Sequence, residues 1–170
     1  MKNLIMKSLI VALAITAVAA FTPSAFAQAS ATASASANAT IVPGLTLTKT
    51  ADLNFGNIVQ DATGGTVSVP TSGAETSTGP VLLGVANAAA FDVTGDGNRT
   101  FSVTLPASPL SISDGVASTM TVNNFKDSCG GTCTLATGAQ SFTVGADLIV
   151  GASQTIGSYT GSFNVTVAYN

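Results

Sequence analysis

Histidine and tryptophan are absent from the 170 residues, cysteine occurs twice, and charge is scarce, with five basic and eight acidic side chains. Without histidine there is no Ser-His-Asp or Cys-His catalytic arrangement, and the commonest metal ligand is missing. Without tryptophan the usual stacking platform for sugars is missing too. The carboxylates are scattered through expected loops and turns. Only a pair meeting in space, as in a glycosidase, would leave catalysis open. The expectation is a protein that is not an enzyme and holds no cofactor or metal. Basic residues form no stripe, which argues against nucleic acid and against anionic membrane surfaces.

What is present begins with a leader. Lys2 and Lys7 make a positive start, Leu9 to Phe21 an apolar run, and Ala25-Phe26-Ala27 a small-x-small cleavage site after Pro23. This pattern reads as a secretory signal peptide over residues 1–27, too short in its apolar core to span a membrane. Cleavage leaves Gln28 first. It also leaves Lys49, Arg99 and Lys126 against the eight acidic groups, a net charge of −5, and no membrane span. The remaining chain is long enough for one domain with a real core. Gly, Ala, Ser, Thr and Val dominate it, the composition of a β-rich exported protein.

The two cysteines stand in SCGGTC, at Cys129 and Cys133. An exported protein meets an oxidising compartment, so a local disulfide is expected. Gly130 and Gly131 allow the tight turn that brings the two Cα atoms within reach. A loop this short stabilises by about 2 kcal/mol through loop-closure entropy. A redox or metal pair is the weaker reading, since the spacing is not CxxC and no second thiol pair exists.

From Gln28 to Thr40 the chain reads QASATASASANAT. Ala31, Ala33, Ala35, Ala37 and Ala39 alternate with polar residues, and Ile41 continues the phase. Period two places them on one face of an extended segment. Domain 41–170 then carries many short strand patterns with turn signals between them. Ile41-Val42 and LTLTKT are expected as strands around a Pro43-Gly44 turn. ADLNFGNIV, TVSVP and VLLGVAN are expected as strands, with Thr71 to Gly79 as a polar loop. AAFDVTG and RTFSVTL are expected to form a hairpin about Asp96-Gly97-Asn98. LSIS and MTVNNF follow, and SFTVGADLIVG reads as a strand pair bent at Gly145. This spacing predicts an all-β protein, a β-sandwich. Asp92, Asp96 and Asn98 do not fit a calcium loop and suit a turn better. Asn38, Asn98 and Asn164 open short glycosylation sequons of the kind that arise by chance.

The last stretch is GSYTGSFNVTVAYN. Tyr159, Gly161, Phe163, Val165, Val167 and Tyr169 fall on one face, opened by Gly157. The segment resembles the β-zipper of chaperone–usher pilus subunits, where a glycine and a penultimate aromatic bracket alternating apolar residues. Over most of its length the chain is similar to the bacterial secreted family called domain of unknown function 4402. ADLNFGNIV, FDVTG, FTVGADLIV and the final stretch carry that resemblance. The plan is also similar to that of the spore coat protein U family. Such families look like immunoglobulin-like, pilin-like sandwiches.

The resemblance implies a sandwich that lacks its final strand. Residues 28–40 of a neighbouring copy would fill the gap, with alternate side chains entering pockets. The contact is head to tail and does not close, so it builds a fibre. A periplasmic chaperone would cover the open edge beforehand, and an outer-membrane usher would follow. The expected function is therefore a structural subunit of a bacterial surface fibre, in adhesion or biofilm. Bulkier apolar residues are usual in such donor strands than the alanines here. A monomeric secreted or surface binding module, recognising glycans for instance, is the alternative. It would keep its N-terminal strand at home.

Overall fold

The computed structural model describes residues 30–170. The signal-peptide reading of residues 1–27 lies outside the described residues, as does Gln28. Two units divide the chain, one ending at Ala39 and one spanning Thr40–Asn170. In the first, residues 30–39 form neither strand nor helix, and each is exposed. The second unit is all-β, and no helix occurs among the described residues.

The described residues form twelve strands: β1 (Thr46–Ala51), β2 (Asn57–Ile58), β3 (Gly65–Val69), β4 (Thr76–Thr78), β5 (Leu82–Leu83), β6 (Ala89–Thr94), β7 (Thr100–Thr104), β8 (Leu110–Ser113), β9 (Thr119–Asp127), β10 (Thr132–Thr134), β11 (Ala139–Val150) and β12 (Thr166–Tyr169). All pairs are antiparallel. The large sheet runs β1-β6-β11-β3-β4, with β9 and then β8 attached to β11. A second sheet runs β10-β7-β12, and β2 with β5 forms a two-stranded ribbon.

β11 organises the large sheet because it is long enough to serve several partners. Its first half pairs with β6 and its second half with β3. Asp147 to Ile149 pair with β3 and β9 at once, so these two strands take opposite edges. Alternation does the rest. Phe142, Val144, Ala146, Leu148 and Val150 are buried, while Ser141 and Ile149 face out. Phe142 stacks on Phe91 of β6 at 5.4 Å between ring centroids. Phe101 of β7 meets it from the second sheet at 6.4 Å. Side chains from two sheets thus close on one core, as in a β-sandwich. Each such side chain contributes about 1.5–3 kcal/mol on burial.

Several local expectations change. Asp96-Gly97-Asn98 does turn the chain, with Asn98 at φ 62°, but β6 and β7 form no hairpin. Both edges of β6 are taken by β1 and β11, so the chain crosses to the second sheet. SFTVGADLIVG is one strand. Gly145 marks a register shift against β9 and a point where Val69 and Pro70 approach so closely that a Cβ would collide with backbone. The loop 71–79 contains β4, which covers the edge of β3. ADLNFGNIV and VLLGVAN shrink to β2 and β5, broken at Gly56 (φ 75°) and Gly84 (φ 97°). Ile41-Val42 forms no strand.

Cys129 and Cys133 form a disulfide with Cα atoms 5.3 Å apart. The Asp127 carboxylate holds the loop by accepting the N–H groups of Cys129 (2.9 Å) and Gly131 (3.0 Å). Val103 N–H donates to the Gly131 carbonyl at 2.9 Å, tying the loop to β7.

Candidate functional site

The last segment has the alternation read from its sequence. Tyr159, Phe163, Val165, Val167 and Tyr169 face inward, and Thr160, Ser162, Asn164, Thr166 and Ala168 between them are exposed. The inward residues are only half-buried. Phe163 packs against Phe125 at 5.0 Å, and Val165 and Val167 lean on the Phe91–Phe101 cluster. On one side the segment is held by β7 through Thr166 to Tyr169 and by a single bridge from Thr160 to Ser113. On its other side β12 ends its sheet, so its backbone donors and acceptors there have no strand partner among the described residues. Gly161 is the glycine that the packing requires: a Cβ there would stand 2.7 Å from the Ile112 side chain. Gly157, expected to open the zipper, has ordinary room around it.

A groove of about 650 Å³ runs beside the first half of this segment. One wall is residues 53–60 and the other is residues 154–161 with Phe163. Leu110, Ile112, Met120, Val122, Leu148 and Val150 supply its apolar floor. Gln154 fixes the upper end. Its Nε2 donates to the Tyr159 hydroxyl at 2.8 Å, and its carbonyl accepts from Gln60 Nε2 of the opposite wall at 2.9 Å. Tyr159 in turn donates to the Thr155 carbonyl at 2.8 Å. ADLNFGNIV reads from the sequence as a strand, but neither the wall 53–60 nor Gln154 is among the candidate site residues. Only Asn57–Ile58 of this wall is strand, too short a run for periodicity to show which face meets the groove.

Aspartates stabilise the turns at both margins. Asp61, just beyond the first wall, lies below its ordinary value, chiefly because the Thr63 hydroxyl and then the Thr63 N–H donate to it. Asp114, beside Gly157, is lowered first by the Val116 N–H and then by those of Ser118 and Ala117. Among the described residues no cluster of three acidic or cysteine side chains forms that could hold a metal.

The far end of the segment is closed. The Asp96 N–H donates to the Tyr169 hydroxyl at 2.7 Å, and that hydroxyl donates to the Pro43 carbonyl at 3.0 Å. Gly95 makes room: a Cβ there would lie 2.3 Å from the Tyr169 oxygen and 2.9 Å from Leu45. The expected donor residues Ala31, Ala33, Ala35, Ala37 and Ala39 are all exposed and outside any strand. Ile41 is 98% exposed, the highest value among the large apolar residues described.

Residues 45–169 match a domain of unknown function, DUF4402. The chain belongs to the DUF4402 family. No curated protein and no solved structure matches it. The DUF4402 region holds the whole groove, both walls and the last strand. The alanine-rich stretch and Ile41 precede it.

Proposed function

We propose that this DUF4402 protein is a structural subunit of a bacterial surface fibre, assembled by strand exchange between copies. The observation that carries the reading is the free edge of β12 above an inward face that is only half-buried. An incoming strand there gains a ladder of main-chain hydrogen bonds and covers the apolar face. Residues 28–40 with Ile41 suit the task, being a period-two segment that is exposed and outside every strand over its described part. Each copy offers one groove and one donor, so the contact propagates instead of closing. Until a donor arrives, the open edge invites aggregation, and a periplasmic chaperone followed by an outer-membrane usher would protect it. The disulfide fits passage through an oxidising compartment. Among the described residues no helix is long and apolar enough to cross a membrane.

The test is a gel of the natively exported protein, loaded with and without boiling, beside negative-stain images of the same sample. A ladder that collapses on heating, together with thin fibres, is the expected result. A lone monomer band without fibres would sink the fibre reading. It would leave a solitary sandwich whose groove takes a free ligand such as a glycan.

A further inference from the structure

The groove and the donor segment are both uneven along their length. The cavity lies beside Gly157 to Phe163, and its lining reaches no farther along the last strand. Beyond it the Tyr169 end is filled, with the hydroxyl seated over Gly95 between Leu45 and Leu135. The donor segment has the complementary asymmetry. It offers methyl groups from Ala31 to Ala39 and one large apolar side chain, Ile41, at its C-terminal end.

We infer that Ile41 is the anchor of the strand exchange, filling the pocket of a second copy of this chain at Ile112 and Met120. This rests on the fibre reading above and specifies its polarity. Ile41 at the Gly157 end makes the donor antiparallel to the last strand. The alanines then run toward Tyr169, over Val165 and Val167, where the face is nearly closed and small side chains suffice. From Gly161 to Tyr169 an extended strand covers about 26 Å, which residues 33–41 match.

The same geometry denies Ile41 its own pocket. Pro43 is tied to the Tyr169 hydroxyl at 3.0 Å. Ile41 lies two residues before Pro43 and reaches about 7 Å from it at most. Phe163, the near end of the cavity, lies six residues before Tyr169, a span of about 20 Å for extended chain. Self-insertion would run parallel to the last strand and set alanine methyls in the widest part of the groove. The Tyr169–Pro43 bond is therefore a positioning contact that favours exchange between copies over closure within one.

The experiment compares polymers on unboiled gels with cysteine cross-linking. Ile41→Asp should lower polymer yield by about tenfold to a hundredfold, the worth of one buried isoleucine, and Ile41→Leu should restore it. The melting temperature of the isolated subunit should not move, since Ile41 is exposed. Copies carrying Ile41→Cys, mixed with copies carrying Met120→Cys and oxidised, should give a linked dimer. Copies carrying Val167→Cys in place of Met120→Cys should give far less. Stronger linking to position 167 would overturn the polarity. A chain carrying both Ile41→Cys and Met120→Cys that links within itself at high dilution would overturn the intermolecular assignment. If Ile41→Asp polymerises like the parent while Ala35→Asp does not, the anchor is wrong and the fibre reading stands. A parent protein that never polymerises removes the fibre reading and the anchor with it.

Discussion

β6 and the last segment carry the same kind of pattern, apolar residues alternating with polar ones, and they end in different surroundings. Ala89, Phe91 and Val93 are buried, closed in by β1, β11 and the second sheet. Phe163, Val165 and Val167 point inward just as regularly and stay half-buried, and among the described residues β12 pairs on one side only. Alternation states which face turns inward. It does not state whether anything arrives to cover that face. The covered half of the sandwich holds the buried core, while the half beside β12 keeps an apolar face only half-buried.

The contrast can be broken most directly by equal truncations on its two sides. Phe142→Ala, between Phe91 and Phe101, should cost about 3–5 kcal/mol in urea unfolding. Gly95→Ala works at the boundary between the halves. The new methyl expels the Tyr169 hydroxyl, for a loss of about 1–3 kcal/mol. Amide exchange should then quicken at Asp96, whose N–H loses its acceptor. Replacing Cys129 and Cys133 by serine should cost about 2 kcal/mol, read from the midpoint of chemical unfolding. Phe163→Ala should cost only about 1–2 kcal/mol in the separate subunit, since its ring is already part-exposed. A loss equal to that of Phe142→Ala would show the two faces to be equally closed and would end the comparison.

The smallest effect concerns the margin of the groove. The folded form holds the Asp114 carboxyl below its ordinary 3.8, chiefly through the Val116 N–H. A lowered value in the folded state means stabilisation that is present above 3.8 and is lost as pH falls through the lower, folded value. Asp114→Asn should therefore reduce the melting temperature slightly at neutral pH. The gap to the parent should shrink as the pH is taken well below 3.8. A gap that widens on acidification would contradict the assigned hydrogen bonds.

Much of the secondary structure was legible. TVSVP, AAFDVTG, RTFSVTL, LSIS and MTVNNF lie in strands at the places their β-branched alternation indicates. The disulfide followed from two glycines between two cysteines. Legibility ended where pairing depends on distant chain. Asp96-Gly97-Asn98 has the chemistry of a hairpin turn, yet β7 finds no edge on β6 and joins the opposite sheet. Gly145 reads as a bend when only its own strand is considered, but the constraint there is the backbone of Val69 and Pro70. The Leu53 to Gln60 wall was the hardest to see, because positive φ at Gly56 breaks its period and Gln60 meets Gln154 only through the fold.

By itself the sequence determined the all-β class, the inward and outward residues of most strands and the cysteine staple. These depend on side-chain periodicity and local backbone preference, which a short window contains. Tertiary structure alone decided which edges are filled, where the cavity widens, and that Tyr169 binds Pro43. Those outcomes depend on hydrogen bonds and packing between segments far apart in the chain, and no local pattern encodes the edge that is left open.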